Sequence, residues 1–142
     1  MSLILFPLLY GCGSMSSKTY MDSPPLSNSY NEIWEATRGA IAKSFKISSE
    51  DREKGAMETE WSAYQSVAFD DGTRKKVFAK IRKNDTGAWT VSIAVQVQEQ
   101  STVDGGTYNP SKFWSNTESD EDEARIILTN IRIKLTLLKK NP

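Results

Sequence analysis

The chain has 142 residues, with 18 Lys and Arg against 18 Asp and Glu. Zero formal charge argues against broad nucleic-acid binding, which needs a basic excess to displace counterions. It holds no histidine and a single cysteine, which removes the commonest general base, every Ser-His or Cys-His nucleophile pair, the usual zinc ligand and any internal disulfide.

The first stretch with a reading of its own is the apolar run Leu3 to Tyr10, closed by Gly11-Cys12. It is shorter than the roughly 20 apolar residues a membrane-spanning helix requires, and it has the length of a secretory h-region followed by small residues. Leu9-Tyr10-Gly11-Cys12 resembles a bacterial lipobox. That resemblance implies a signal peptide over 1–12, lipidation of Cys12, and a membrane anchor made by acyl chains. Gly13 after the cysteine, rather than Asp, implies by the same resemblance an outer-membrane location facing the periplasm. Two alternatives stay open: ordinary cleavage after Gly11 or Gly13, and burial of the run as a core segment. Gly13 to Ser27 is rich in Ser, Pro and Gly, lacks a period of 2 or 3.6, and reads as a flexible tether. This leaves 28–142 as a single domain.

Asn28 or Ser29 can cap a first helix over about Tyr30 to Ser44, whose apolar stripe is Ile33, Trp34, Thr37, Ala40 and Ile41. Gly39 within it points to close approach of a strand. Phe45 to Ser48 begins a strand, Ser49 to Gly55 is a charged connection, and Met57, Thr59, Trp61 and Ala63 form the inward face of a second strand. Asp70-Asp71-Gly72 marks a turn. A third strand runs from Arg74 to Lys83 with Val77, Ala79 and Ile81 on one face. Its basic face is expected to pair Lys80 and Arg82 with Glu58 and Glu60 across the sheet. Asn84 to Gly87 is a hairpin loop, and Trp89, Val91, Ile93, Val95 and Val97 alternate through the fourth strand.

Gln100 to Thr117 reads as a long connection, in which Tyr108, Phe113 and Trp114 are the candidate partner or ligand contacts; covering an open end of the sheet is the other role open to them. Ser119 to Glu123 is read as a helix start, with Ser119 as the cap, rather than as a cation site. The helix continues to about Lys139, with Ala124, Ile127, Leu128, Ile131, Leu135 and Leu138 as its stripe. Ile126, Ile133 and Leu137 broaden that stripe, so this helix is expected to lie deeper than the first.

The expected fold is α+β in two layers: a four-stranded antiparallel meander packed against an N-terminal and a C-terminal helix. The order of elements over residues 30–61, with Ile33, Trp34 and Ile41, then Phe45 and Ile47, Asp51 to Gly55, and Thr59 and Trp61, resembles envelope lipoprotein domains of helix-grip type. The C subunit of the outer-membrane barrel-assembly machinery is one such protein. The resemblance implies a non-enzymatic accessory role in the cell envelope, with an envelope protein as partner. There is no nucleophile motif, Gly-rich phosphate loop or metal-ligand cluster, so no cofactor and no metal are expected. A hydrolase built on paired carboxylates would not need histidine, but no pair is singled out by spacing. The alternative to an interaction module is a domain holding an apolar or glycan ligand between the sheet and the C-terminal helix, lined by Trp61, Trp89 and Trp114.

Overall fold

The computed structural model describes residues 18–62, 72–100 and 114–140, together with the backbone of 103–104 and 107–108. Cys12 and Phe113 lie outside the described residues, as does the expected turn at Asp70-Asp71.

The clearest sequence pattern becomes the centre of the fold. The strands β4 (Gly72–Lys83) and β5 (Trp89–Gln100) pair antiparallel over their whole length, from Gly72 against Gln100 to Lys83 against Trp89. The turn between them works as its residues predict. Asn84 Oδ1 accepts from the N–H groups of Thr86 and Ala88, and Gly87 takes a φ of 84°, open to glycine at little steric cost.

Outside this hairpin, β3 (Ala56–Thr59) pairs with β4, and β2 (Ile47–Asp51) pairs with β3. The strand expected from Phe45 thus starts two residues later and takes up part of the expected connection. On the far edge of β5 lie two strands the sequence reading missed. They are β1 (Met21–Asp22), against Ile93 and Ser92, and β8 (Trp114–Asn116), against Gln98 to Gln100. The sheet therefore has six strands rather than four. A short ribbon, β6 (Val103–Asp104) with β7 (Thr107–Tyr108), sits within what reads as one loop.

β1 corrects the tether. Ser23 N–H donates to the Val91 carbonyl at 2.8 Å, the Ser23 hydroxyl accepts from Val91 N–H at 3.0 Å, and Leu26 exchanges two backbone bonds with Trp89. These bonds satisfy an edge of β5 that would otherwise be bare. The residues from Met21 to Leu26 belong to the domain.

Both helices cover one face of the sheet. The first, α1 (Tyr30–Ala42), opens with a capping box: Glu32 N–H donates to the Ser29 hydroxyl, and Ser29 N–H donates to the Glu32 carboxylate. The backbone bond and the side-chain bond to Ser29 hold the Glu32 carboxyl below its ordinary value. Gly39 faces the second helix rather than a strand, since an added Cβ would stand 3.2 Å from Lys134 Nζ.

The second helix, α2 (Glu121–Lys140), starts one residue later than expected. Asp120 caps it, accepting from Glu123 N–H at 2.9 Å, while the Ser119 hydroxyl accepts from Thr19 N–H. Between sheet and helices the space is filled by Ile33, Trp34 and Ile41 of α1, Val77, Ala79 and Ile81 of β4, Val91, Ile93 and Val95 of β5, and Ile127, Ile131 and Leu135 of α2, with no core apolar side chain more than 7% exposed.

The α2 cap also ties helix to sheet. Lys75 Nζ lies 2.7 Å from Asp120 Oδ2 and 3.8 Å from Glu123 Oε2. The Lys75 hydrogen bond, opposed by partial burial, holds the Asp120 carboxyl below its ordinary value. A carboxyl whose folded pKa lies below its unfolded one contributes stability above the unfolded value, and loses it as pH falls through the folded one. Asp120→Asn keeps a capping oxygen and loses the charge. It is expected to lower stability by about 1 kcal/mol at neutral pH and to flatten the acid limb below about pH 4, the ordinary carboxyl value. Urea unfolding across that range checks it; an unchanged acid limb contradicts it.

Candidate functional site

The residues singled out in the sequence do not gather into one place. Tyr108 is on β7, where its backbone pairs with Val103, and its side chain lies outside the described residues. Trp114 begins β8 opposite Gln100. It is half-buried on the outer face of the sheet, away from both helices, and takes part in a contact the sequence gave no reason to expect.

That contact centres on Arg74. Its guanidinium carbon lies 4.5 Å from the Trp61 ring centroid and 4.2 Å from that of Trp114. Nε and Nη2 both donate to Gln98 Oε1, at 2.9 and 2.7 Å. An arginine held between two indoles with its donors directed to an amide is a closed structural unit. Trp114 thus lies over Arg74 on the outer face of the sheet.

Trp61 reaches the outer face because β3 ends in an irregularity. Val77 N–H donates to the Thr59 hydroxyl rather than to a strand carbonyl. Beyond it, Ser62 rather than Trp61 exchanges bonds with Lys75. One extra residue on the β3 side turns every later side chain to the opposite face. Trp61 is therefore not the inward core residue that alternation predicts. Trp89 packs at the other end of the sheet, its ring centroid 4.9 Å from that of Tyr30. The three tryptophans consequently do not line a pocket between sheet and C-terminal helix, and that space is filled.

Elsewhere on the outer face two lysines lie over aromatic rings. Lys18 Nζ stands 3.7 Å from the Phe78 centroid and Lys80 Nζ stands 4.4 Å from that of Tyr20. The expected cross-strand pairs are different ones. Register puts Ala56 against Lys80 and Glu58 against Phe78, so Glu58 pairs with Lys76 at 2.5 Å and Glu60 with Lys46 at 3.0 Å. Lys80 and Arg82 make no ion pair among the described residues.

The second surface is α2 itself, and it overturns the expectation that this helix lies deeper than α1. Ala124, Ile127, Leu128, Ile131 and Leu135 are buried, but Ile126, Ile133 and Leu137 are 55%, 52% and 54% exposed, and Leu138 is 48% exposed. One apolar face meets the sheet and a second faces solvent. Thr129, Arg132, Ile133, Thr136 and Leu137 border an open hollow of about 400 Å³ on that solvent face. Large apolar side chains grouped on one face of a surface helix are the usual mark of a docking site.

The acidic run at the start of α2 is absorbed by the cap and by its pairs with Lys75 and Arg125. Among the described residues no group of three acidic or thiol side chains is placed to hold a metal ion, and no helix is long and apolar enough to cross a membrane. No family model matches the chain, and no curated protein matches it.

Proposed function

We propose that the chain is a lipid-anchored protein of the bacterial cell envelope whose domain is a non-enzymatic interaction or assembly module, docking through the solvent face of α2. The observation that carries the docking is the contrast within one helix. Ile127 and Ile131 are buried in a filled core, whereas Ile126 and Ile133, of the same type, stay half-exposed. Burying such side chains against a partner stabilises a complex by about 25 cal/mol per Å² of apolar surface removed from water.

The anchor rests on the sequence: a short apolar leader, a glycine, and the only cysteine. Acylation at Cys12 gives a stable anchor, because each buried CH₂ contributes about 0.8 kcal/mol. Since the domain already includes Met21, its first strand begins nine residues after Cys12. Fully extended, that span is at most about 32 Å at 3.6 Å per residue. The module thus works close to its membrane, by this reading the outer membrane on its periplasmic side, and not at the end of a long tether.

The test is crosslinking in the cells that make the protein, with fractionation alongside. The wild-type chain is expected in the membrane fraction with a reproducible crosslinked partner. Ile133→Asp is expected to stay in the membrane, keep its melting temperature and lose the crosslink. Cys12→Ala is expected to leave the membrane fraction. Unchanged membrane retention of Cys12→Ala removes the anchor, and an unchanged crosslink in Ile133→Asp removes the docking face.

A further inference from the structure

The solvent face of α2 has a spacing of its own. Asp122, Ile126, Thr129, Ile133, Thr136 and Lys140 follow one another at alternating steps of four and three. That is the spacing of a coiled-coil seam, which brings all six to one side of a helix. Leu137 flanks the seam. The two isoleucines are knobs, and the two threonines, shorter by a carbon, leave room beside them. The hollow at Thr129, Thr136 and Leu137 lies there.

The seam is charged oppositely at its two ends. Asp122 begins it with a side chain 90% exposed, touching only Arg125, at 3.3 Å, among the described residues. Lys140 ends it, exposed. The first turn of α2 is acidic through Glu121, Asp122 and Glu123, and the last is basic through Lys139 and Lys140.

We propose that the partner on this face is a second copy of the same chain, with the two α2 helices antiparallel; the inference rests on the docking role given to this face above. About a two-fold axis on the solvent face, between Thr129 and Ile133, Asp122 meets Lys140 of the second copy at each end of the seam. Ile126 meets Thr136 of the second copy, and Ile133 meets Thr129. Each isoleucine enters the space beside a threonine, and both ends are paired by charge. A parallel pairing sets Asp122 beside Asp122 and Lys140 beside Lys140, which is repulsive at both ends. An antiparallel arrangement also opposes the two helix dipoles favourably. The seam is only about 27 Å long at 1.5 Å per residue, so the pairing is weak for a free domain. Confinement of both copies to one membrane raises their effective concentration and favours the pair.

The experiment uses the full chain in mild detergent, in the Cys12→Ala background so that only introduced thiols react. Sedimentation equilibrium at concentrations up to on the order of 100 µM is expected to show a monomer–dimer equilibrium. Ile133→Asp is expected to weaken it about tenfold or more, by placing a charge in the seam. Chains carrying Asp122→Cys, mixed with chains carrying Lys140→Cys, are expected to form a disulfide-linked dimer on oxidation, while either variant alone forms little. An unchanged melting temperature for each variant shows that the fold is intact.

A chain monomeric throughout that range overturns the proposal, and so does a disulfide formed as readily by Asp122→Cys alone as by the mixture. If the chain is monomeric while Ile133→Asp still removes a crosslink to another envelope protein in cells, the self-pairing falls and the docking role stands. If neither effect is seen, both fall.

Discussion

Ile93→Ala is expected to destabilise the domain by about 3–4 kcal/mol, within the range for deleting a buried branched side chain. Ile93 is fully buried in β5, the strand that pairs with β1, β4 and β8 and packs against α2. It stands opposite Ala79 of β4 and Met21 of β1, with the helices above. Removing its side chain takes away apolar contact and leaves a cavity that β4 and β1, fixed by their ladders, cannot close. Against a total stability of about 5–15 kcal/mol for a domain of this kind, that is a large fraction. The matching control is Ile133→Ala on α2. It is the same chemical change at a half-exposed site, and it is expected to change stability by less than about 0.5 kcal/mol. Urea unfolding of the pair, read as the shift in midpoint at constant slope, checks both. Equal losses at the two positions contradict the assignment of α2's faces, on which the docking reading depends.

Gly55→Ala is expected to cost roughly 2–4 kcal/mol, for two separable reasons. Gly55 has a φ of 66°, a region where a side chain meets its own backbone. An added Cβ would also stand 2.5 Å from the Ile81 carbonyl oxygen, closer than such atoms approach. The backbone cannot move aside easily, because Ile81 N–H donates to the Gly55 carbonyl at 2.7 Å. This turn closes β2 onto β3 and holds β3 against β4. Gly87→Ala separates the two costs. Gly87 has a φ of 84° but only the Lys83 Cε, 3.9 Å away, near an added Cβ. It is expected to cost about 1 kcal/mol, the conformational part alone. Thermal or urea unfolding of the two variants measures the difference. If they are equally destabilised, the contact with Ile81 is not the cause.

The elements with strict periodicity were legible, and those fixed by tertiary partners were not. Val91, Ile93 and Val95 alternate with polar residues in a strand long enough to leave no second reading, and Asn84 to Gly87 carries the turn. Ser29 and Glu32 announce the start of α1. By contrast β1 has two residues in a Ser- and Pro-rich stretch, and its pairing is specified by the Ser23 hydroxyl reaching a distant N–H. No local pattern encodes that. Trp61 shows how one residue misleads: alternation through Met57 and Thr59 places it inward, and the irregularity after Thr59 reverses it. β8 was hidden in the same way, since three residues of a long connection carry no period.

The candidate site was legible only in part. Trp114 was singled out as an aromatic in a long connection, but its partner Arg74 is separated from it by 40 positions and came together with it through the sheet. Cys12 and Phe113 lie outside the described residues, so their assignments stay with the sequence. Ile126, Ile133 and Leu137 are apolar but face solvent, the opposite of what their hydrophobicity predicts. A helix apolar on two sides does not itself say which side is inward. The side interrupted by Thr129, Asn130, Arg132 and Thr136 faces solvent, and the side continuous through Ala124, Ile127, Leu128, Ile131 and Leu135 faces the core. Those interruptions were the available signal.

The most direct test of a docking module built on α2 places a photo-crosslinking amino acid, one position at a time, at Ile126, Ile133 and Leu137, and at Lys46 and Arg82 for comparison, in the full chain in its own cells. All five positions are exposed. The account predicts discrete crosslinked products from the three α2 positions and none from Lys46 or Arg82. Products from Arg82 with none from α2 would move the docking site to the outer face of the sheet and contradict it.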